Sequence, residues 1–281
     1  MSLSNDMQIE PSSNPISQVV NQPSHNGRKL LVSLKSSRSL QFKSLFECLK
    51  ELLEEVTIEF IEGKGVRLVA LDPGSVAMVH LVIDAVEYFY TKGVVSAGLH
   101  MAFFYKMIRS LSSGDCIEWR IYEDSPNDFE IEISNDDRKT HVTHRLKLLN
   151  LEELSINVPS IEFDRIVSIP SSDLSRYVKE MGTISPKIII KATQDTLEFE
   201  ANGEMATSSI VVKPTASGLN WKHSENVPTI SGEFFTKYIE KFCKCSVETT
   251  VLLYLKQDLP LVLLYDLTIG KLRFCIAPVT Q

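Results

Sequence analysis

Residues 39–72, SLQFKSLFECLKELLEEVTIEFIEGKGVRLVALD, hold in one stretch the unit that decides the fold. Leu45, Phe46, Leu49, Leu52 and Leu53 recur at helical spacing and make one apolar stripe. VTIEFIE (56–62) then switches to the period of two that marks a half-buried strand, Gly63-Lys64-Gly65 makes a turn, and VRLVALD (66–72) returns. The unit is a short amphipathic helix followed by a β-hairpin.

The same unit recurs three times. The second copy is LHMAFFYKMIRSL (99–111), CIEWRIY (116–122), a loop over 123–128 and FEIEIS (129–134). The third is SSDLSRYVKEMG (171–182) with KIIIKAT (187–193) and LEFEAN (197–202). The fourth is GEFFTKYIEKFC (232–243), TVLLYLK (250–256), a turn at Gln257-Asp258 and LPLVLLYDL (259–267). Two copies, a connector and two more copies predict an α+β protein of two similar domains, 29–149 and 164–281, joined by a loop over 150–163. Ser39, Ser171 with Ser172, and Ser231 stand where hydroxyls cap helix N-termini. Residues 1–28, rich in Ser, Asn, Gln and Pro, bury too little apolar surface to offset the entropy of ordering and read as a disordered tail.

Composition narrows the class. With 281 residues, 43% hydrophobic and 23% charged, the chain can build a sizeable core. No apolar run approaches the roughly 18 residues that span a bilayer, so no membrane partner is expected. The N-terminus lacks the basic and apolar segments of a secretory signal. The five cysteines are scattered rather than framework-spaced, which suits a reducing compartment. A net charge of −7 excludes a protein basic over its whole surface, but permits basic residues gathered on one face.

The helices show such a gathering. Lys43 and Lys50 lie away from the first apolar stripe, and Lys106 and Arg109 oppose Met101, Phe104, Ile108 and Leu111. Arg176 and Lys179 oppose Leu174, Tyr177, Val178 and Met181, while Lys237, Lys241 and Lys244 oppose Phe235, Tyr238, Ile239 and Phe242. Glu47 and Glu240 lie close by. One such face is ordinary solvation; four of four in an acidic chain point to a polyanion.

At this point three segments resemble the proliferating cell nuclear antigen (PCNA) family. GVRLVALDPGSVAMVHLVI (65–83) is similar to its strand–Asp–turn–strand signature, and DLPLVLLYDLTIGKLRFCIAP (258–278) to its C-terminal strands. RLKLLNLEELSINVP (145–159) resembles the approach to its interdomain loop, and the likeness covers roughly 30–279. The resemblance implies two DNA-clamp domains in a homotrimeric ring, helices lining the hole and antiparallel sheets forming the outer wall. It implies a DNA polymerase processivity factor, not an enzyme, that encircles double-stranded DNA in the nucleus, or in the replication compartment of a virus or archaeal cell. An ATP-dependent clamp loader, DNA polymerase and other proteins carrying PCNA-interacting peptides are the implied partners.

Residue by residue, the likeness places Lys43, Lys50, Lys106, Arg109, Arg176, Lys179, Lys237 and Lys244 against phosphates. It places Leu71, Val76, Met78, Ile156, Val158, Pro159, Pro260, Ala277 and Pro278 in an apolar peptide pocket beside the connecting loop. Subunits would pair edge strands near 142–149 and 204–212. The chain departs from the pattern at Cys275, where an aromatic ring is usual, and at Pro73-Gly74-Ser75, which replaces a hydroxyl-rich turn ending in His.

Chemistry-bearing motifs are missing from the sequence. His141 and His144, three apart in a strand, point to opposite faces and make a poor metal pair. Cys243-Lys244-Cys245 has no second cluster at zinc spacing, so these read as idle thiols. There is no P-loop, no G-x-S-x-G and no G-x-G-x-x-G before a helix. No cofactor, metal or catalytic residue is expected. The alternatives left open are a subunit of a checkpoint-type heterotrimeric clamp, or a monomeric interaction scaffold on the same fold.

Overall fold

The computed structural model describes residues 23–152, 161–224, 228–244 and 248–279. A two-residue strand β1 (Ser24–His25) opens it, folded back on β2 (Arg28–Ser36) through Asn26 and Gly27, both with positive φ. The stretch read as a tail is therefore ordered from Pro23. Its Asn-Gly pair is the turn chemistry of a tight hairpin, a signal the composition of the segment masked.

The rest follows the expected fourfold repeat, with one correction: each unit carries a strand before its helix and a third strand after its hairpin. The first unit is β2, α1 (Ser39–Leu49), β3 (Glu55–Ile61), β4 (Gly65–Leu71) and β5 (Ala77–Ile83). After β6 (Tyr88–Thr91) comes the second: β7 (Val94–His100), α2 (Met101–Ile108), β8 (Cys116–Tyr122), β9 (Ser125–Asn135) and β10 (Thr140–Lys147). The third is β11 (Arg165–Pro170), α3 (Ser171–Gly182), β12 (Lys187–Ala192), β13 (Leu197–Asn202) and β14 (Thr207–Val212). β15 (Asn220–Ser224) precedes the fourth: β16 (Ile230–Phe235), α4 (Thr236–Cys243), β17 (Thr250–Leu255), β18 (Leu261–Leu267) and β19 (Gly270–Ile276).

The serines do not cap as expected. The N-cap positions are Arg38, His100, Pro170 and Phe235, none with a side-chain cap bond. Each helix but the first leaves directly from a strand, so the chain enters it already extended and no loop residue is free to cap. Ser39 instead donates to the Ser112 carbonyl at 2.9 Å, and Ser231 lies inside β16.

Three antiparallel sheets form among the described residues. One has the order β1-β2-β8-β9-β10, with β6 also on β2; another is β14-β13-β12-β16. The third, of nine strands in the order β15-β11-β17-β18-β19-β5-β4-β3-β7, runs through both domains. Its seam is β5 against β19, paired from Ala77↔Ile276 to Ile83↔Gly270. A single core fills the space between the inner faces of these sheets and all four helices. In the first domain its centre is aromatic: Trp119 meets Phe42 edge-on at 5.1 Å and Phe104 at 5.6 Å, and Phe46 meets Phe104 at 4.8 Å. In the second, Phe242 of α4 stacks on Phe274 of β19 at 4.4 Å.

A smaller apolar cluster, Phe163, Ile166, Tyr254, Val262, Leu264 and Cys275, lies on the opposite face of the nine-stranded sheet. Helices on one side and this cluster on the other give the protein two distinct working faces. Among the described cysteines Cys116, Cys243 and Cys275 are free thiols, and burial pushes those of Cys243 and Cys275 up to about 12. Cys48 is disulfide-bonded, which the scattered spacing of the cysteines did not suggest, and Cys245 lies outside the described residues. His141 and His144 sit on opposite faces of β10, opposite Ser134 and Ile131.

Candidate nucleic-acid interface and partner pocket

The basic residues follow from helix geometry. Each helix buries one stripe in the core, for example Leu174, Val178 and Met181 of α3, and residues offset from it stand free. Lys106, Arg109, Arg176, Lys179, Lys237 and Lys244 are all exposed. Arg176 holds Asp173 one turn back at 3.1 Å, and this exposed i,i+3 pair is weak enough to yield to a phosphate.

The first helix differs from the expectation. Lys43 is half-buried and its Nζ donates to the Leu111 carbonyl at 3.1 Å, while Lys50 pairs with Glu51 at 2.6 Å and sits 4.9 Å over the Tyr105 ring. Glu51 is held below the ordinary carboxylate range by its hydrogen bond from Lys50, helped by the charges of Lys50, Lys244 and Lys241. The cations of α1 and α4 therefore lie close enough to share one acid. Glu47 is similarly engaged: burial of Tyr105 and the hydrogen bond its hydroxyl donates to Glu47 push that phenol up to about 12. Six exposed cations and two half-buried ones still make a basic face, diluted at α1. Cations resting on rings recur here, with Lys106 4.5 Å over Phe103 and Arg176 4.8 Å over Tyr177.

Two of the residues expected in a peptide pocket, Leu71 and Met78, share one cross-strand row on the other face. Leu71 opposes Met78, Met78 opposes Cys275, Cys275 opposes Val262 and Val262 opposes Tyr254, so five strands contribute one outward row. Leu71 is 41% exposed at the open end, and Cys275 at 8% forms the floor where a ring was expected by resemblance. Ala277 is exposed, and its amide donates to the Val76 carbonyl at 3.0 Å, tying the C-terminal segment to the turn after β4. Pro260 and Pro278 instead line a separate cavity of about 590 Å³ with Glu233, Lys256 and Asp258, whose lining includes no residue of the row. Ile156, Val158 and Pro159 lie outside the described residues.

The next row along the same face is polar, His80 against Arg273. Burial, then the charges of Arg273 and Arg67, push the His80 imidazole down to about 4, which keeps it neutral beside two guanidinium groups.

Asp72, marked in the sequence only as part of a family signature, was given no role there. Its carboxylate accepts from the amides of Gly74, Val76 and Ala77 at 2.9, 2.7 and 2.6 Å and so builds the turn that carries Val76. An Asp followed two residues later by Gly is a local signal for such an Asx-type turn.

Two α+β domains zipped into one sheet, with basic helices on one side and an apolar outward row on the other, define a DNA-clamp fold. Family models carry the assignment further: "Proliferating cell nuclear antigen, N-terminal domain" matches residues 31–155 and "Proliferating cell nuclear antigen, C-terminal domain" matches 157–280. The chain belongs to the proliferating cell nuclear antigen family. It is 29% identical over 258 residues to a probable DNA polymerase sliding clamp 1 of Paramecium bursaria Chlorella virus 1, covering 89% of this chain and 97% of that protein. It is 25% identical over 253 residues to proliferating cell nuclear antigen 2 of Drosophila melanogaster, covering 88% and 97%. The crystal structure of the Entamoeba histolytica antigen superposes with a TM-score of 0.81 at 19% identity, over 89% of this chain and all of that one.

Proposed function

We propose that this chain is a DNA sliding clamp: three copies close into a ring around duplex DNA, and the apolar row tethers polymerase and other client proteins by short peptides. The observation that carries this reading is the pair of open sheet edges. β10 ends one sheet and β14 ends another, and four of the eight exposed large hydrophobics among the described residues lie on or beside them: Val142 and Phe103 near β10, Met205 and Val211 near β14. An open edge flanked by apolar side chains invites pairing with another chain. Pairing β10 of one copy with β14 of the next satisfies both edges and covers these side chains. Repeated head to tail, that contact closes a ring with α1 to α4 of every copy inside it.

The exposed cations of the helices then face the hole. Contacts to phosphates carry no sequence information, so such a ring holds DNA without fixing its position. Retention comes from topology, and the ring needs no chemistry of its own; a separate ATP-dependent loader opens it. The viral relative's name supports a polymerase as one client, and nucleus or viral replication compartment as the place of action.

Client peptides of the form Q-x-x-(aliphatic)-x-x-(aromatic)-(aromatic) are expected to bind the row at micromolar affinity, on the order of 8 kcal/mol. Ile156, Val158 and Pro159 of the connecting loop are proposed to complete the pocket. Leu71→Asp, at a position already 41% exposed, leaves folding nearly unchanged but sets a carboxylate against the peptide's apolar anchors. Calorimetry should show affinity falling more than tenfold; equal binding by both proteins would move the pocket elsewhere.

A further inference from the structure

We propose that Tyr238, on a helix facing the hole, is a positioning residue for the peptide pocket on the other face, acting across the domain boundary through Asp72. This rests on the pocket reading above and adds to it a residue that no client touches.

Asp72 is 7% exposed and Tyr238 also 7%. The Tyr238 hydroxyl donates to Asp72 Oδ2 at 2.9 Å, a bond spanning 166 residues of sequence and joining α4 of the second domain to the β4–β5 turn of the first. The same oxygen accepts from the Gly74 amide, while Oδ1 accepts from Val76 and Ala77. Four donors thus converge on one carboxylate, and three of them set the path of the turn. Burial works to raise the Asp72 pKa, but the bonds from Ala77, Tyr238, Gly74 and Val76 outweigh it and keep the group ionised.

The turn needs that anchor. Ser75 is held at φ 53, a left-handed conformation unfavourable to a residue with a side chain. Leu71 and Val76 flank the turn, and the Val76 carbonyl also receives the Ala277 amide. Three pocket residues from two domains therefore depend on where Asp72 sits. Room for adjustment is small, since a Cβ added at Gly74 would lie 3.0 Å from both Asp72 Oδ2 and the Tyr238 hydroxyl.

The other end of the link is firm and faces the cations. Tyr265 donates to the Phe242 carbonyl at 3.2 Å, and Phe242 stacks on Phe274, fixing α4 to the strands that lead to Ala277. Lys237, the residue before Tyr238, places its Nζ 4.9 Å over the phenol ring. The basic helix and the pocket wall thus meet at one hydrogen bond. Without the hydroxyl, Asp72 keeps its three amides but loses the donor that locates the whole turn against domain two.

The test is a double-mutant cycle on the full chain, using Tyr238→Phe, Asp72→Ala and both together, read by calorimetry with a synthetic Q-x-x-(aliphatic)-x-x-(aromatic)-(aromatic) peptide. Tyr238→Phe is expected to weaken the peptide three- to tenfold with unchanged trimer mass and a thermal midpoint lowered by several degrees, well short of unfolding at the assay temperature. The double variant should bind no more weakly than Asp72→Ala alone, because that change already removes the acceptor of the Tyr238 hydroxyl. Amide NMR shifts of Gly74, Val76 and Ala77 should move in Tyr238→Phe, a signature that general loosening of α4 would not confine to this turn. If Tyr238→Phe binds peptide like the unsubstituted protein while Leu71→Asp fails to bind, the proposal is wrong and the pocket stands. Additive losses, or shifts spread evenly over α4, also overturn it. Peptide binding insensitive to Leu71→Asp would remove the pocket and this proposal together.

Discussion

Protein loaded onto nicked circular duplex is expected to stay bound through a wash in about 1 M salt and to leave when a restriction enzyme linearises the circle. Salt at that level shortens the screening length to about 3 Å, so attraction between exposed lysines and phosphates cannot hold the complex. A closed ring is held by linkage instead, and linkage ends when the circle is cut. Free protein on linear duplex should behave oppositely, binding weakly and with affinity falling steeply as salt rises. Lys106→Glu with Arg109→Glu tests the charged face directly. Both side chains are exposed on α2, so folding is little affected, but every copy exchanges two positive charges for two negative ones. Two lost phosphate contacts per copy reduce the salt slope by about 2 per copy engaged, and loading onto circles should drop below detection. Peptide affinity should be unchanged, since the apolar row lies on the other face; trimer mass is measured alongside, because Lys106 rests 4.5 Å over Phe103 at the proposed subunit contact. Protein that remains on cut DNA, or that never survives the wash on circles, would rule out a ring.

Assembly has an equally sharp expectation. The unsubstituted chain should run in solution at three times the 31.6 kDa of one copy, and Phe103→Asp with Val142→Asp should run as a monomer. In the single copy these side chains are 48% and 44% exposed, so the substitutions cost the isolated fold little. In the ring they are covered, and each carboxylate would be stripped of water without a partner, which costs more than the roughly 2–7 kcal/mol of a neutral polar group. Each ring has three such contacts, and all must hold for closure. Light scattering decides it. A trimer that persists would place the subunit contact away from β10 and α2; a monomer from the unsubstituted chain would favour a heteromeric clamp or a scaffold.

Much of this was legible in the sequence because it is local. The switch from a 3.6 period in Leu45, Phe46 and Leu49 to a period of two in Val56, Ile58 and Phe60 fixes helix and hairpin within twenty residues, and four repetitions fix the domain count. The offset of Lys106 and Arg109 from the stripe of Phe104 and Ile108 fixes which way the charges point. Helix ends were less legible. Pro170 and Phe235 lead straight from strands into helices, and the serines chosen as caps became helix or strand residues because tertiary packing outweighs local capping preference.

Other features depended on residues far apart in the chain. Pairing of β5 with β19 joins the domains into one sheet and assembles Leu71, Met78, Cys275 and Val262 into a row, yet no spacing rule relates residue 71 to residue 275. The sequence marked Lys43 and Lys50 as equal to the other cations, but the Leu111 carbonyl and the Glu51 carboxylate occupy them. Tyr238 reads locally as one more ring on a core stripe, and only folding brings its hydroxyl to Asp72. Periodicity sets which face of an element is buried, because it follows from backbone geometry alone. Which elements then meet, and which polar groups find partners, depends on long-range closure of the sheets, where each contact requires that others already be made.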